Sequence, residues 1–424
     1  MQRTVNQWVE YIQTLHVRNI DMSLERIRAV FARMHPDGVP FKVVSVAGTN
    51  GKGSTSELLS SIYRAAGYRV GKYTSPHLVQ FNERVELLGE PVDDVRLLVA
   101  FERVESQRGD ITITYFEYAT LVAIEVFCSE KIDIAVMEVG LGGRLDAVNM
   151  LDADLAIITN ISIDHTAWLG DTVEQIAVEK AGIARAQRPC VIASTTPPKT
   201  LIEACQAIGA EITQLDRDFC VRLDAPDEWA FVGQDCLYNH LPLPFGQLGV
   251  QLDNASGAIQ AVVSLLDVLP VEPSAIAKGL RNAAIRGRCQ VVSVAPMVVV
   301  DVSHNVASVS RLQQFLSEQS VRGRIVAVCG MLRDKQIHES LAIMAPLVDE
   351  WYLSSIEGER GSPAQAIDAL LQELEDEGQT GTRCFNNAEA AYKAAVATLT
   401  ADDCLVVFGS FYIVGDILQL LEST

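Results

Sequence analysis

Five stretches in the N-terminal half of the chain, most of them apolar, predict β-strands. They are rich in β-branched residues and are bounded by glycine, proline or polar residues, which is typical of strands inside a sheet. The runs are FKVVSVA (41–47), YRVGKYTS (68–75), KIDIAVMEVG (131–140), ADLAIITNIS (153–162) and RPCVIAS (188–194). In the third run, Ile132, Ile134 and Val136 should share one face of the strand with Glu138.

Helical patterns lie between these runs. One follows the first run and is ended by Gly67, and another is predicted around residues 172–186. The apolar face of the first helix consists of Leu58, Leu59, Ile62, Ala65 and Ala66. Strands that alternate with helices predict an α/β fold with a parallel, doubly wound sheet.

The pattern changes in the second half of the chain. Residues 216–250 contain short β-like pieces, FCVRL and WAFVG, and a helix is predicted from about Asn254 to Leu269. A new α/β series starts near Arg288, with the strand candidates VVSVAPMVVVDVSHN, RIVAVCG, EWYLSS, TRCFNN and CLVVFGS. We therefore predict two domains, 1–285 and 286–424, which divide near AAIRGRC.

The composition narrows the classes of function. The chain has 424 residues, 49% of them hydrophobic, which is enough for large cores. Its 54 acidic and 34 basic residues give a net charge of −20, and without a basic stripe a nucleic-acid partner is not expected. The nine cysteines include no C-x-x-C pair, the first residues lack the core of a signal peptide, and no apolar run could span a bilayer. We therefore expect a cytoplasmic protein with reduced thiols and no membrane partner.

The stretch VAGTNGKGSTSELL at 46–59 resembles a phosphate-binding P-loop but departs from its usual spacing. Val46 stands where the first glycine is expected, and Gly53 separates Lys52 from Ser54. The alternative is a glycine-rich turn with a solvated lysine. A strand before the loop and a helix after it favour the phosphate site, because glycines let backbone N–H groups converge and the helix N-terminus adds positive charge. Lys52 would then bridge the β and γ phosphates of a nucleotide, and Ser54 would reach Mg²⁺.

Two further side chains follow predicted strands. Glu138 ends an apolar strand, where a carboxylate can hold Mg²⁺ at the ligand-binding edge of the sheet. The alternative is a surface glutamate at the start of a loop. His165 in ISIDHTAWLG follows the next strand, but imidazole is an uncommon partner for Mg²⁺. His165 could therefore be a structural residue or a metal ligand, and both interpretations stay open.

Several motifs occur together and in order along almost the whole chain. They are VAGTNGKGS, GKYTSPHLVQFNERV, ITYFEYATL, MEVGLGGRLDAVN, ISIDHTAWLG, VEKAGI and GSFYIVGDIL. This set resembles the bacterial dihydrofolate synthase/folylpolyglutamate synthase family, in its bifunctional form, within the Mur ligase superfamily. The loop of that family reads G-T-N-G-K-G-[ST], so the shifted hydroxyl is normal there. The resemblance implies a P-loop ATP-binding domain and a smaller Rossmann-like C-terminal domain, with the active site in the cleft between them.

The resemblance also implies a reaction. ATP would phosphorylate a substrate carboxylate, and the amine of L-glutamate would attack the resulting acyl phosphate. The expected substrates are dihydropteroate, folates, L-glutamate and ATP, the expected metals are two Mg²⁺ ions with a monovalent cation besides, and the expected state is a monomer.

The same resemblance assigns residues to the nucleotide and the metals. The phosphate-binding residues would be Asn50, Gly51, Lys52, Gly53 and Ser54, and Asn254, Arg288 and Asp301 would contact ATP as well. Mg²⁺ would be bound by Ser54, Ser75, Glu138, His165 and a carbamylated Lys180. Without the resemblance, Lys180 in VEKAGI would be interpreted as a solvated helix lysine beside Glu179.

His304 is the third expected catalytic residue, with Lys52 and Lys180. The family usually reads D-x-A-H-N-P at this point, whereas Ser303 and Val306 replace the alanine and the proline here. The loop could be less rigid for this reason, and the role of His304 stays open.

The folate pocket is assigned in three segments. By resemblance it would contain Asp21, Met22 and Ser23 of IDMSLERI, then Thr114, Tyr115, Phe116 and Glu117, then Leu145, Asp146 and Ala147. Phe116 could form a wall for the pterin or benzoate ring, or be an ordinary core aromatic. Arg84 in FNERV could meet a substrate carboxylate or be a solvated loop arginine, and both interpretations stay open.

Four other functions are alternatives to this one. A Mur peptidoglycan ligase would carry a further domain before the P-loop, which here lies within about the first 50 residues. A GTP-dependent switch would need N-K-x-D, which does not occur. A non-catalytic nucleotide-binding protein is disfavoured because Lys52, Glu138, His165 and Lys180 occur together. A monofunctional folylpolyglutamate synthase remains the main alternative.

Overall fold

The computed structural model of the chain describes residues 3–18, 20–225, 227–246, 250–374 and 381–423. The chain forms two compact units, Met1–Ala284 and Ile285–Thr424.

The first unit is built on an eight-stranded sheet with the strand order β4-β3-β2-β5-β1-β6-β7-β8. The strands are β1 (Lys42–Ala47), β2 (Val70–Tyr73), β3 (Val85–Leu87), β4 (Glu90–Pro91), β5 (Ile134–Glu138), β6 (Leu155–Ile158), β7 (Pro189–Ile192) and β8 (Glu211–Gln214). Strands β2, β5, β1, β6, β7 and β8 run parallel, and β3 and β4 pair antiparallel at one edge. All five apolar runs of the N-terminal half form strands of this sheet, so the predicted parallel sheet is confirmed.

Ten helices are described in the first unit. They are α1 (Val5–Gln13), α2 (Glu25–Met34), α3 (Lys52–Ala65), α4 (Asp94–Arg108), α5 (Tyr115–Ser129), α6 (Thr166–Leu169), α7 (Val173–Ala181), α8 (Lys199–Ile208), α9 (Val250–Ser264) and α10 (Pro273–Asn282). The helix after the first strand is α3, and Gly67 lies just beyond its end with a φ of 93°, a conformation that suits glycine. Helix α7 is shorter than the predicted stretch 172–186, and α9 begins and ends earlier than predicted.

The sheet has a hydrophobic core on each face, as expected of a doubly wound fold. Ile134 and Val136 of β5 pack in one core with Leu58 of α3, while Met137 packs in the other with Leu121 of α5. Alternate residues of a strand point to opposite faces, so β5 contributes to both cores. Ile132 precedes β5 and packs in the second core, so the prediction that it shares a face with Ile134 was wrong.

A smaller antiparallel sheet belongs to the same unit. Its strands are β9 (Cys220–Ala225), β10 (Glu228–Val232) and β11 (Leu237–Pro242), in the order β11-β10-β9. The pieces FCVRL and WAFVG correspond to β9 and β10, whereas β11 was not predicted. Residues 226 and 247–249 of the predicted β-rich region lie outside the described residues.

The second unit contains a six-stranded sheet in the order β12-β13-β17-β14-β15-β16. Its elements are β12 (Gln290–Val294), β13 (Met297–Asp301), α11 (Val306–Glu318), β14 (Ile325–Cys329), α12 (Ile337–Met344), β15 (Glu350–Ser354), α13 (Ala364–Gln372), β16 (Gly381–Phe385), α14 (Ala388–Val396), β17 (Cys404–Phe408) and α15 (Phe411–Glu422). The run VVSVAPMVVVDVSHN forms a hairpin rather than one strand, because β12 pairs antiparallel with β13 across Ala295 and Pro296. Every other pairing is parallel, so the predicted second α/β series is confirmed.

Two global features concern membranes and thiols. Among the described residues, no helix combines the length and the apolar character that crossing a bilayer requires. All nine cysteines lie in the described ranges and are free thiols.

Candidate active site

The glycine loop between β1 and α3 is held close to neighbouring backbone and side chains. Gly51 has a φ of 88° and precedes α3, and a Cβ atom at this position would lie 2.5 Å from Asn254 Oδ1. A Cβ atom on Gly48 would lie 1.7 Å from Thr159 Oγ1. Glycine is therefore required at both positions. The first N–H groups of α3 lie at this loop. Gly51, which precedes the helix, has no side chain that could accept a hydrogen bond from them, and this arrangement is suited to binding phosphate.

Lys52 folds back over the loop. Its Nζ donates to the carbonyl oxygens of Gly48 and Thr49, each at 3.1 Å. Ser54 lies in the first turn of α3 and is buried. The interpretation of Lys52 as a solvated lysine is therefore wrong, since its ammonium group is held at the mouth of the loop.

Lys180 lies against the same loop. It is on α7, is only 4% exposed, and its Nζ donates to Gly48 O at 2.9 Å. Burial, and then the positive charge of Lys52, lower the pKa of Lys180 to about 7. The interpretation of Lys180 as a solvated surface lysine is therefore wrong.

The loop after β5 explains how Lys180 becomes buried. A Cβ atom on Gly143 would lie 2.5 Å from Glu179 O and 2.9 Å from Lys180 Cα, so this loop packs directly on the backbone of α7. Arg144 extends the contact, since its N–H donates to Glu179 O and its guanidinium pairs with the Glu179 carboxylate. The sequence GLGGRLD is thus needed for close approach to the helix that carries Lys180.

The expected metal ligands lie where neighbouring parallel strands end. Strands β2, β5, β1 and β6 are adjacent in the sheet, and their carboxyl ends carry Ser75, Glu138, the glycine loop and the His165 segment respectively. Glu138 is 5% exposed, so the interpretation of it as a surface glutamate is wrong. Ser75 is half-buried. Among the described residues, no group of three or more His, Cys, Asp or Glu side chains could hold a metal ion, so a complete set of ligands would need other groups as well.

His165 occupies an unusual backbone conformation. Its φ of 54° and ψ of 39° lie in the left-handed region, which is uncommon for a residue other than glycine. Its N–H donates to Asp164 Oδ1 at 2.8 Å, and its side chain is 37% exposed. Such strain is often found at functional sites, which favours a ligand role over a purely structural one.

The three segments predicted to bind folate approach one another. Arg26 joins two of them, because its guanidinium lies 3.3 Å from Asp21 Oδ2 and 3.2 Å from Glu117 Oε1. The third segment follows β5, where a Cβ atom on Gly142 would lie 3.4 Å from Met22 Cε. The N-terminal segment, the start of α5 and the loop after β5 therefore form one region.

Phe116 borders this region. Its ring is half-buried, and a Cβ atom on Gly140 would lie 2.5 Å from Phe116 Cζ. The ring centroids of Phe116 and Tyr73 are 6.0 Å apart. Phe116 is therefore placed as a wall beside the β5 loop rather than fully inside the core.

Other residues of the predicted pocket have structural contacts of their own. Thr114 and Glu117 form a capping box at the start of α5, and Ser23 Oγ accepts the N–H of Glu25 at 3.3 Å. Asp146 accepts the N–H groups of Leu141 and Val148, and burial raises the pKa of its carboxyl to about 6. The remaining members are Tyr115 and Leu145, which are half-buried, and Ala147, which is buried. Roles for these residues in substrate binding stay predictions.

Arg84 is not a solvated loop arginine. It is 7% exposed, and its Nε donates to His77 Nδ1 at 2.8 Å. Its guanidinium lies 5.1 Å from the centre of the Tyr115 ring. The structure therefore places a buried positive charge beside the predicted folate pocket.

In the second unit, three predicted residues lie close together. Arg288 lies 5.6 Å from the centre of the Phe411 ring, and the His304 ring lies 6.1 Å from it. Asp301 ends β13 and accepts the N–H groups of Cys289 and Ser303, each at 2.7 Å. The loop that departs from the family pattern is ordered by these bonds, by His304 Nδ1, which lies 2.8 Å from Val302 O, and by a capping box in which Asn305 precedes α11.

Some residues that shape the site were not predicted. Asn160 Oδ1 accepts the N–H of Asn50 at 2.8 Å, and Thr159 Oγ1 donates to Asn50 O at 2.7 Å. Thr49 Oγ1 donates to Ser162 O at 3.0 Å. The signal was present in the sequence, because the polar residues Thr159, Asn160 and Ser162 directly follow an apolar strand that neighbours β1.

Two family models match the chain. The "Mur ligase middle domain" matches residues 46–217, and the "Mur ligase, glutamate ligase domain" matches residues 287–411. The chain is 40% identical over 420 residues to a protein named dihydrofolate synthase/folylpolyglutamate synthase from Escherichia coli (strain K12), covering 98% of this chain and 95% of the relative.

Solved structures give the same result. E. coli FolC in complex with DHPP and ADP has a TM-score of 0.93 and 38% identity, covering 99% of this chain and 98% of that one. A bifunctional folylpolyglutamate synthase/dihydrofolate synthase with Mn, AMPPNP and L-glutamate bound has a TM-score of 0.89 and 36% identity, with the same coverage.

Proposed function

This chain belongs to the dihydrofolate synthase/folylpolyglutamate synthase family of Mur ligases, and we propose that it joins L-glutamate to dihydropteroate and to the γ-carboxylate of folates with ATP as co-substrate. The observation that carries the proposal is the convergence of Lys52 and Lys180 on Gly48 of the glycine loop. Two lysines at one loop suit a reaction that brings two anions together, a substrate carboxylate and the γ-phosphate.

The nucleotide would be bound by the loop and the start of α3. The backbone N–H groups of the first turn and the Lys52 ammonium would contact the phosphates, with the Asn254 side chain packed closely against Gly51. The relatives solved with ADP and with AMPPNP support this role. We propose that Arg288 and Asp301 contact the nucleotide as well, and that His304 takes part in catalysis.

A divalent metal would complete the site, and the residues present fit one. Glu138 offers a buried carboxylate, and Ser54, Ser75 and His165 lie at the same edge of the sheet. When bound, Mg²⁺ would neutralise phosphate charge during transfer. We propose two Mg²⁺ sites and a monovalent cation site; Mn is named with one of the relatives.

Lys180 would serve the second metal as a carbamate. Carbamylation joins the neutral amine to CO₂ and releases a proton, which turns a cation into an anionic oxygen ligand. The low pKa of Lys180, about 7, supports this role because a large fraction of the amine is then neutral near pH 7.

The acyl substrate would lie between the N-terminal segment, α5 and the loop after β5. Its carboxylate oxygen would attack the γ-phosphorus of ATP, and ADP would leave with the electrons of the broken P–O bond. The amine of L-glutamate would then attack the acyl carbon, lose a proton and displace phosphate. The names DHPP and L-glutamate in the solved relatives support both substrates. We assign the ATP site and folate pocket to a domain of residues 1–285 and the glutamate-ligase domain to 286–424.

A substrate panel tests the proposed function. Purified protein with MgATP and L-glutamate is offered dihydropteroate, a tetrahydrofolate or a UDP-linked peptide, and phosphate release and products are followed by chromatography. We expect products from the first two. Extension of tetrahydrofolate alone would indicate a monofunctional folylpolyglutamate synthase. Reaction of the UDP-linked peptide alone would contradict the proposal. Gel filtration and cell fractionation test our further expectation of a cytoplasmic monomer.

The carbamate needs its own experiment. Lys180→Ala should be nearly inactive and partly restored by a short carboxylic acid, and isotopically labelled bicarbonate should give a carbamate signal in the wild type only. Lys199→Ala is the control, because Lys199 is 89% exposed. An active Lys180→Ala variant with no carbamate signal in the wild type would contradict this role.

A further inference from the structure

Arg84 is a buried cation without a carboxylate partner among the described residues. It is 7% exposed and ends a short helical turn, Phe81–Arg84, before β3. Its contacts are the His77 imidazole, at 2.8 Å from Nε, and the Tyr115 and Phe81 rings, whose centres lie 5.1 and 5.9 Å from the guanidinium carbon. None of these three contacts of the guanidinium carries a negative charge.

The neighbouring acid is engaged elsewhere. Glu83 accepts the N–H groups of Leu78, Val79 and Gln80, at 2.8 to 3.0 Å. By contrast, Arg26 lies within 3.3 Å of two carboxylates although it is more exposed than Arg84. A buried charge that lacks a counter-ion costs free energy of several kcal/mol, and aromatic contacts offset only about 1–2 kcal/mol. An anion that binds from outside the chain would supply the missing counter-ion of Arg84.

The position of Arg84 indicates which anion. Arg84 O accepts the N–H of Thr74 at 3.0 Å, which places this residue beside Ser75 at the carboxyl end of β2. Tyr115, on its other side, begins α5 and is followed by Phe116 beside the β5 loop. Arg84 thus lies between the predicted metal ligand Ser75 and the predicted folate pocket, where the carboxylate to be phosphorylated must arrive.

We propose that Arg84 binds the carboxylate of the acyl substrate, an inference that rests on the proposed function. The hydrogen bond described for its guanidinium uses Nε, which leaves the two terminal nitrogens as donors. Two parallel N–H groups match the two oxygens of a carboxylate. The carboxylate belongs to the benzoate of dihydropteroate in one reaction and to the glutamyl tail of a folate in the other. His77 holds the guanidinium in place by accepting from Nε.

A thermodynamic cycle tests this contact. Binding of dihydropteroate and of its carboxamide, which lacks the charge, is measured by titration for the wild type and for Arg84→Met, whose side chain still packs on Tyr115. We expect the wild type to prefer the carboxylate by about 10- to 100-fold and the variant to lose this preference. The same loss should appear with a folate and its γ-amide. Retention of the preference by Arg84→Met with both ligand pairs would overturn the proposal.

The controls distinguish a failure of the role of Arg84 from a failure of the proposed function. Arg84→Lys keeps the charge and should keep part of the preference, and Arg84→Gln, which is also uncharged, replaces the Met variant if that variant does not fold. The KM for ATP should change less than twofold in both variants, and Arg69→Met, at a side chain that is 52% exposed, should behave as the wild type. If wild-type protein neither binds nor converts dihydropteroate or folates, the proposed function fails. If the wild type is active and the preference persists in the uncharged variant, only the role of Arg84 fails.

Discussion

Replacement of Lys180 by methionine should change how the stability of the protein depends on pH. The side chain is only 4% exposed, and its ammonium group shares the Gly48 carbonyl oxygen with that of Lys52. Burial and this neighbouring cation lower the pKa of Lys180 from 10.5 in an unfolded chain to about 7. The folded protein therefore binds this proton less tightly than the unfolded chain does.

The sign and size of the effect follow from proton linkage. Between pH 10.5 and about 7 the unfolded chain holds a proton on Lys180 that the folded protein has largely released. The free energy of unfolding of the wild type should therefore fall, relative to Lys180→Met, by up to about 1.4 kcal/mol per unit as the pH is lowered through this window. Below about pH 7 the difference in the free energy of unfolding between the two proteins should stop changing. Its total change from pH 10.5 down to that point should be about 5 kcal/mol.

The assay is urea unfolding at pH 7, 8 and 9, in CO₂-free buffer without metal or nucleotide. Between pH 7 and pH 9, the free energy of unfolding of the wild type should rise by about 2 kcal/mol relative to that of Lys180→Met. Lys199→Met, at an exposed position, should follow the wild type at every pH. Parallel pH profiles for the wild type and Lys180→Met would refute the reasoning, because they would mean that Lys180 holds its proton equally well in both states.

Three further substitutions test the glycine loop and the folate region. Lys52→Ala should lower kcat by about two orders of magnitude or more while the free energy of unfolding changes by less than about 1 kcal/mol, and near-normal turnover would rule out a phosphate contact. Gly51→Ala should raise the KM for ATP because its Cβ would lie 2.5 Å from Asn254 Oδ1, whereas Gly38→Ala, at a φ of 79° with nothing within 4 Å, should show only backbone strain in its Tm. Glu117→Gln should cost about 2 kcal/mol in urea unfolding because it removes the negative charge that pairs with Arg26 while its amide oxygen can still accept the N–H of Thr114, and Glu389→Gln, in an exposed pair, should cost less than about 1 kcal/mol. Equal losses in the two glutamate variants would mean that the Arg26 contact contributes little.

The loop and its flanking elements could be predicted because their signals are local. A β-branched run, a glycine cluster and an apolar stripe that ends at Gly67 each act over a few residues, and they form β1, the loop and α3. The hairpin of β12 and β13 was missed although Pro296 marked it. A long apolar run looked like one strand, and its turn could not be distinguished from an irregularity inside it.

Burial of charged side chains could not be predicted in this way. Arg84 lies in polar sequence, and nothing within a few residues of it indicates that it is enclosed. Lys180 shares a helix face with the apolar residues Ile176 and Ala177, but this pattern does not show what covers a charged group on that face. Lys180 is buried because Gly143 lets a distant loop pack on α7, and Arg84 because Tyr115 of α5 covers its guanidinium. Both contacts join residues at least 31 positions apart in the sequence, so they follow from the tertiary fold. The resemblance identified Lys180 because members of a family share their tertiary contacts, whereas hydrophobic periodicity depends only on residues that are close in the sequence.

The shared carbonyl of Gly48 connects this burial to the chemistry. Two ammonium groups on one oxygen repel each other, and burial together with the charge of Lys52 lowers the pKa of Lys180. Lys180 is therefore the lysine of this pair that releases its proton near pH 7. Addition of CO₂ to the neutral amine would then replace repulsion between the lysines by attraction, because the carbamate is an anion beside a cation. The same pair of residues would supply a positive group to the nucleotide and a negative group to the metal, which is the separation of charge that transfer of phosphate to a carboxylate requires.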